Sequence, residues 1–245
     1  MARIAVVADL HVHEQSKGYI KKLFLRRDIN KEADILLIGG DLTQNGKIRE
    51  AEILLEELKV VKIPIYAVLG NHDYQLNKKD KIIEVLKDKV LVLDGDGIDI
   101  EIKGFKVGIA GVKGFCGGFE PHVAQAYGEK ALKDFVFAGD REAEKLDEAL
   151  SELESDVKIA LLHYSPVKET IIGEFPEIFA FLGSKKLSVP LDYHKVSIAF
   201  HGHAHHGTII GKTDGGIEVH NATRILYHNN YIVFELKEGK WIRKF

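Results

Sequence analysis

Five times along the chain a short apolar run stops abruptly at a polar cluster. Ile4 to Ala8 runs into Asp9-Leu10-His11-Val12-His13, Ile35 to Ile38 into Gly39-Gly40-Asp41, and Ile65 to Leu69 into Gly70-Asn71-His72-Asp73. Lys158 to Leu162 leads into His163-Tyr164-Ser165-Pro166, and Val196 to Phe200 into His201-Gly202-His203-Ala204-His205-His206. Short, nearly continuous apolar runs rich in β-branched residues predict strands buried on both faces. Between the early runs, Ile20, Leu23, Phe24 and Ile29 fall near one face of a helix predicted over 19–30. Ile48, Ala51, Leu54, Leu55 and Leu58 do the same over 48–58. Alternating strands and helices imply crossover connections and parallel pairing. The C-terminal strand ends would then share one edge, where open α/β sheets place their ligand sites, and the five polar clusters would converge.

The second half has a different rhythm. Gly97 to Ile102 and Phe105 to Gly111 form a hairpin-like pair, and short strands punctuated by Asp214-Gly215-Gly216, His228-Asn229-Asn230 and Glu238-Gly239 predict an antiparallel flank after Gly207. No fixed-period repeat, low-complexity tract or Pro/Gly/Ser-rich linker interrupts the chain, so a single domain over 1–245 is expected. The stretch 113–140, with five glycines and Pro121 among five aromatics, is the least regular. It reads as a long packed loop, with a substrate lid as the alternative.

Composition narrows the class. With 45% hydrophobic and 29% charged residues, the 245-residue chain has enough apolar surface for a continuous core. A formal charge of -3 gives no global attraction to nucleic acid, so phosphate recognition has to be local. Cys116 is the only cysteine and cannot form an internal disulfide, which fits a reducing compartment. The five apolar residues before Asp9 are too few for a secretory leader, and no later run could span a bilayer. A cytoplasmic protein without membrane contact is expected.

The clusters supply the atoms a dinuclear metal centre needs: a bridging carboxylate, terminal oxygen and nitrogen ligands, and room for water and substrate between cations about 3.5–4 Å apart. Asp9 and His11 alternate around Leu10, so an extended strand end would project both to one side, and His203 and His205 repeat this around Ala204. Gly39-Gly40 permits a bend that turns Asp41 into the crevice, and Gly202 leaves room for close backbone approach. A single histidine in a turn is usually structural or solvated; the ordered set is what carries weight. His13, His201 and His206 read as hydrogen-bonding or solvent-facing neighbours, and His122, His194, His220 and His228 as structural or surface groups.

Asp9-x-His11, Gly40-Asp41, Gly70-Asn71-His72-Asp73, His163 and Gly202-His203-x-His205, in this order, resemble the calcineurin-like metallophosphoesterases. The resemblance implies an α/β fold: a four-layer α/β/β/α sandwich with two mixed β-sheets face to face, helices outside, and a dinuclear site at the strand C-terminal ends. Carried over residue by residue, it implies one metal on Asp9, His11 and His205, a second on Asn71, His163 and His203, and Asp41 bridging. It implies hydrolysis of a phosphomonoester or phosphodiester by metal-activated hydroxide, with His72 protonating the departing oxygen. Asp73 would orient His72 or bind a neighbouring amide. The mixed His and carboxylate set suits two divalent or mixed-valence ions among Mn, Fe, Zn, Ni and Co, and the resemblance favours Mn as activator. The expected partner is a phosphate-ester substrate, nucleotides included. A DNA-processing nuclease is the competing enzyme reading, disfavoured by the lack of basic excess. A protein-interaction scaffold on a decayed site is the competing non-enzymatic one, disfavoured by the intact ligand set. Leu42-Thr43-Gln44-Asn45-Gly46 departs from the acidic or basic residues many relatives carry there, so substrate contacts are not inferred from it.

Overall fold

A computed structural model describes residues 1–244. All five apolar runs form strands, but in two sheets rather than along one edge of a single sheet. The first sheet contains β1 (Arg3–Val7), β2 (Ile35–Gly39), β3 (Ile65–Val68) and β4 (Leu91–Val92), paired in parallel. The second contains β5 (Asp96–Ile102), β6 (Phe105–Val112), β9 (Val157–Leu162) and β10 (Ile198–His201), with β6, β9 and β10 parallel and β5 antiparallel to β6. Between them in sequence, β7 (Gly118–Phe119) and β8 (His122–Val123) make a small separate hairpin.

The tail is shared between the sheets. β11 (Ile210–Lys212) and β12 (Glu218–Asn221) extend the second, while β13 (Ile232–Lys237) and β14 (Lys240–Lys244) extend the first through an antiparallel pairing of β13 with β1. The predicted antiparallel flank is therefore correct for β11, β13 and β14. β12 pairs antiparallel with β11 but parallel with β10, so the expectation fails only at that second pairing.

Period-two alternation makes three apolar layers out of two sheets. In β1, Ile4 and Val6 point between the sheets, where they join Leu37, Ile109, Ile159, Leu161 and Phe200. Ala5 and Val7 point outward to Phe24, Ile29, Leu54 and Ile82. These belong to α1 (Tyr19–Leu25), α2 (Ile29–Glu32), α3 (Ile48–Glu57) and α4 (Lys79–Leu86). On the far side, Ala160, Leu162 and Ala199 pack against Leu146, Ala149 and Leu150 of α5 (Lys130–Ser151) and Leu191 of α7 (Ser188–Tyr193), with the short α6 (Phe179–Leu182) nearby in sequence. Helix, sheet, sheet, helix is the layer order.

Two sequence expectations need correction. The helix over 19–30 is broken, because Asp28 takes a left-handed conformation (φ 54°) that separates α1 from α2. Asp tolerates that region better than most residues, and the break still lets Ile29 reach the same core as Ile20, Leu23 and Phe24. The stretch 113–140 is irregular only to Glu129, since α5 begins at Lys130. Its buried stripe, Val136, Gly139, Leu146, Ala149 and Leu150, has helical spacing but relies on small residues, which hid the period. No helix among the described residues is long and apolar enough to cross a membrane.

Candidate metal centre

The sheets meet closely where β1, β2, β9 and β10 end, and two glycines permit that approach. A Cβ on Gly202 would lie 2.6 Å from Asp9 Oδ2 and 2.7 Å from the Ala8 Cβ. A Cβ on Gly40 would collide with the His163 ring, and Gly40 also sits at φ 88°, a region that side chains disfavour. The loops after β1 and β2 then run side by side, Asp9 N–H donating to Gly40 O and His11 N–H to Asp41 O.

The expected extended strand ends do not form. Asp9 (φ 60°), His11 (φ 47°), Asp41 (φ 49°) and His203 (φ 69°) are all left-handed. Side chains that alternation would have sent to one side are instead turned inward by a reversal of backbone handedness. Such conformations cost on the order of 1–3 kcal/mol each and persist only where their surroundings hold them. Four at one crevice indicate a geometry built for these side chains rather than for backbone comfort.

The structure brings the seven ligand-type residues of the sequence reading together. Asp9, His11 and His205 offer ligand atoms within 4.8 Å of one another, and so do Asp41, His163 and His203. His11, Asp41 and His72 form a third such group between them. His11 Nε2 lies 3.3 Å from His205 Nε2 and 3.6 Å from Asp41 Oδ2, while His163 Nε2 lies 3.4 Å from Asp41 Oδ1 and 2.8 Å from Asn71 Oδ1. Asp41, with one carboxylate oxygen toward each group, stands between two half-sites.

The donor set fits cations. His163 Nδ1 is 3.0 Å from Gly39 O, which can only accept, so Nδ1 carries the hydrogen and Nε2 presents a lone pair. That lone pair faces the oxygens of Asn71 and Asp41, so three acceptors converge whenever Asp41 is ionised. His203 Nε2 likewise donates to Phe181 O at 3.2 Å, which frees its Nδ1. Metal bonds of about 2.0–2.2 Å put adjacent ligand atoms roughly 3.0–3.5 Å apart, close to the separations found here. Burial pushes His11 and His163 down to about 4 and His203 to about 3, so all three are neutral near pH 7 and able to offer a lone pair. Asp41 is driven well above the carboxylate range by burial and by the neighbouring charges of Asp9 and Asp73. A bound cation relieves that repulsion. Asp9 behaves oppositely: burial pushes it up, but the hydrogen bond from His205 and the nearby imidazoles hold it below its ordinary value.

Asp73 takes the amide-binding option. Its carboxylate accepts from the backbone N–H groups of Leu42 (3.1 Å), Thr43 (2.8 Å) and Gly70 (2.9 Å) and from Thr43 Oγ1 (2.6 Å). It thus ties the Asp41 loop to the Asn71 turn from beneath. Burial pushes Asp73 up and these four donors pull it back. Asp73→Ala strands three backbone donors and a hydroxyl, and should cost on the order of 3 kcal/mol or more of stability in urea unfolding of the metal-free protein; under 1 kcal/mol would contradict a clamp role.

His72 is not oriented by Asp73. Its Nδ1 lies 2.7 Å from Gln44 O, which fixes the hydrogen on Nδ1 and turns Nε2 into the crevice, 4.0 Å from Asp41 Oδ2, with the side chain about one-third exposed. The departing Leu42–Gly46 segment therefore contributes through a main-chain carbonyl. Thr223, whose Oγ1 donates to Asp9 Oδ2 at 2.7 Å, and Arg224, whose Nε donates to Asp9 O at 2.8 Å, escaped the sequence reading because nothing around them marks them out. His201 is fully buried beside the site, its ring between Gly202 O (2.7 Å) and Thr170 Oγ1 (2.8 Å).

The model of the calcineurin-like phosphoesterase family matches residues 2–207, which includes the seven ligand-type residues, His72 and Asp73 but not Thr223 or Arg224. The chain belongs to that family. Among curated proteins it is 25% identical over 91 residues to a probable glycerophosphodiester phosphodiesterase of Arcobacter nitrofigilis, covering 33% of each chain. It is 36% identical over 77 residues to a probable cyclic nucleotide phosphodiesterase of Ruthia magnifica, covering 29% of this chain and 33% of that protein. The aligned part thus spans only about a third of these relatives. Among solved structures, the phosphopantetheinyl hydrolase of Mycobacterium tuberculosis superposes with a TM-score of 0.68 at 13% identity, covering 98% of this chain and 95% of that one, a likeness of fold.

Proposed function

We propose that this family member is a metal-dependent hydrolase of phosphate esters, with Asp9, His11 and His205 holding one divalent ion, Asn71, His163 and His203 a second, and Asp41 serving both. The convergence of two ligand groups on the single buried carboxylate of Asp41 carries the reading. When bound, the ions supply a water of lowered pKa and positive charge against the phosphoryl oxygens.

The chain supplies the rest. Asp9 is fixed by Thr223 Oγ1 and by the backbone N–H of His203, so its charge is held in place before substrate arrives. The His72 backbone N–H donates to Asp41 Oδ1 at 2.9 Å, which couples the position of the imidazole to that of the shared carboxylate. In the reaction, water adds to phosphorus and releases a proton to solvent, the bond from phosphorus to the leaving oxygen breaks, and protonated His72 delivers the Nε2 proton to that oxygen before solvent reprotonates the ring. Gln44 O keeps the ring oriented throughout. Diesters are the favoured substrates because the curated relatives named above are described as probable phosphodiesterases.

The full chain, metal-stripped and then supplied with Mn²⁺, should hydrolyse members of a panel of phosphodiesters, cyclic nucleotides and phosphomonoesters, and lose that activity on chelation. No turnover of any member with Mn, Fe, Zn, Ni or Co restored would contradict the proposal and leave a binding scaffold as the better reading.

A further inference from the structure

A cleft of about 710 Å³ opens beside His11, walled by the loop after β1, the start of α1 and the turn after β12. Lys17, Lys22 and Arg224 line it, together with His13, and no Asp or Glu does. This is unexpected on a chain with 37 acidic and 34 basic residues. None of the three cations is ion-paired with a carboxylate among the described residues, whereas neighbouring Lys47, Lys31 and Arg27 all are. Unpaired cations gathered in a concave wall focus potential on that space and raise the local concentration of anions.

Arg224 is also preorganised. Nε donates to Asp9 O at 2.8 Å, one Nη donates to Tyr19 Oη at 2.8 Å and to Asn229 Oδ1, and the guanidinium lies 5.1 Å from the centre of the Tyr19 ring. The other Nη makes no hydrogen bond among the described residues, so a fixed, planar donor edge is left over. A guanidinium held in this way loses little freedom on binding an oxyanion. Its anchor on the Asp9 main chain sets that edge at a constant distance from the metal centre.

Gln44 orients the cleft relative to the chemistry. It is a lining residue, and its carbonyl holds His72. His11 lines the cleft as well, and its ring centre lies 4.6 Å from that of His72, so the cleft opens beside the imidazole that would protonate the leaving oxygen.

We infer that this cleft is an anion subsite for the leaving group, and that the substrate is a phosphate ester whose leaving alcohol carries a second phosphate-like group, bound by Arg224, Lys22 and Lys17. The inference rests on the proposed phosphoesterase reaction for its catalytic meaning, but the binding of the second anion is separable from it.

Two measurements keep these apart. Matched esters differing only by phosphorylation of a terminal hydroxyl on the leaving alcohol (4-hydroxybutyl phosphate and butane-1,4-diol bisphosphate, or their methyl diesters) are compared on the Mn²⁺-loaded full chain. The wild type should favour the doubly anionic ester by about tenfold or more in kcat/KM, beyond the twofold statistical factor of a symmetric bisphosphate. In the Lys17→Gln/Lys22→Gln double variant, whose substitutions lie on exposed side chains, that ratio should fall to within about twofold of one. An equal ratio in both proteins overturns the subsite. If neither ester is turned over, calorimetry of inorganic pyrophosphate on the metal-free proteins decides: binding to the wild type, weakened about tenfold or more in the double variant, supports the subsite even though the phosphoesterase reading has failed on these esters. No binding to the wild type, or equal binding to both, overturns it.

Discussion

Asp41→Ala should lower phosphate-ester hydrolysis by about 10³-fold, equivalent to about 4 kcal/mol of barrier, and reduce the bound metal from two ions per chain to one or fewer. Both proposed half-sites would draw on this carboxylate: Oδ2 lies 3.6 Å from His11 Nε2, and Oδ1 lies 3.4 Å from His163 Nε2. The metal-free fold should respond in the opposite direction. Burial, Asp9 and Asp73 all push Asp41 toward protonation, so its removal relieves a repulsion at the expense of one hydrogen bond, from the His72 backbone N–H. Metal analysis after dialysis, kinetics, and urea unfolding without metal check the three parts. Full metal occupancy in the variant would refute the shared-ligand role, and a metal-free protein several kcal/mol less stable would mean that Asp41 is structural in the way Asp73 is. Sites selected for function carry groups that their fold would be more stable without.

The second large effect is at His72. His72→Ala should keep both ions, because the ring is held by a main-chain carbonyl and the ligand atoms of Asp41 are placed by other contacts. Hydrolysis should nonetheless slow by about 10²–10⁴-fold, as loss of a general acid does. The size of the loss must depend on the leaving group. A nitrophenolate departs without a proton and should suffer least, whereas an alkoxide should suffer most. Rates for a series of aryl and alkyl esters give the slope against leaving-group pKa, which should steepen in the variant. A uniform slowing across the series would assign His72 to positioning instead of proton transfer.

Much of this was legible in the sequence, for a physical reason. Doubly buried strands have to be apolar, and a crevice that holds cations has to be polar, so the junction between them prints as an abrupt change at Ala8-Asp9, Gly40-Asp41 and Leu162-His163. The hairpin of β5 and β6 was visible because Lys103-Gly104 sits between two alternating runs, and both residues adopt the positive φ such a turn requires (49° and 83°). Backbone handedness was not legible. Asp9, His11 and His203 look like extended residues in a one-dimensional pattern, and at Asp41 the preceding glycines announce a bend without its hand, so only the packing of two sheets reveals the left-handed turns that aim all four.

Contacts made by main-chain atoms were hidden for a related reason. Gln44 matters through its carbonyl, so its side chain gives no signal, and the departure from the family pattern at 42–46 says nothing about whether His72 is held. Thr223 and Arg224 lie more than 200 residues from Asp9, beyond the last recognised motif. The helix α5 was concealed by Gly139 and by the small residues with which it packs against β6 and β9. The division of strands between two sheets could not come from periodicity either, since strands in both sheets bury both faces and so share one apolar signature.

Titration of the metal-free full chain with Mn²⁺, followed by electron paramagnetic resonance, probes the shared centre most directly. Two ions per chain should bind, and the two-ion form should show spin coupling, if the proposed half-sites of Asp9, His11 and His205 and of Asn71, His163 and His203 meet at Asp41. Saturation at one ion per chain, or two ions with independent, uncoupled spectra, would contradict a dinuclear site joined by that carboxylate.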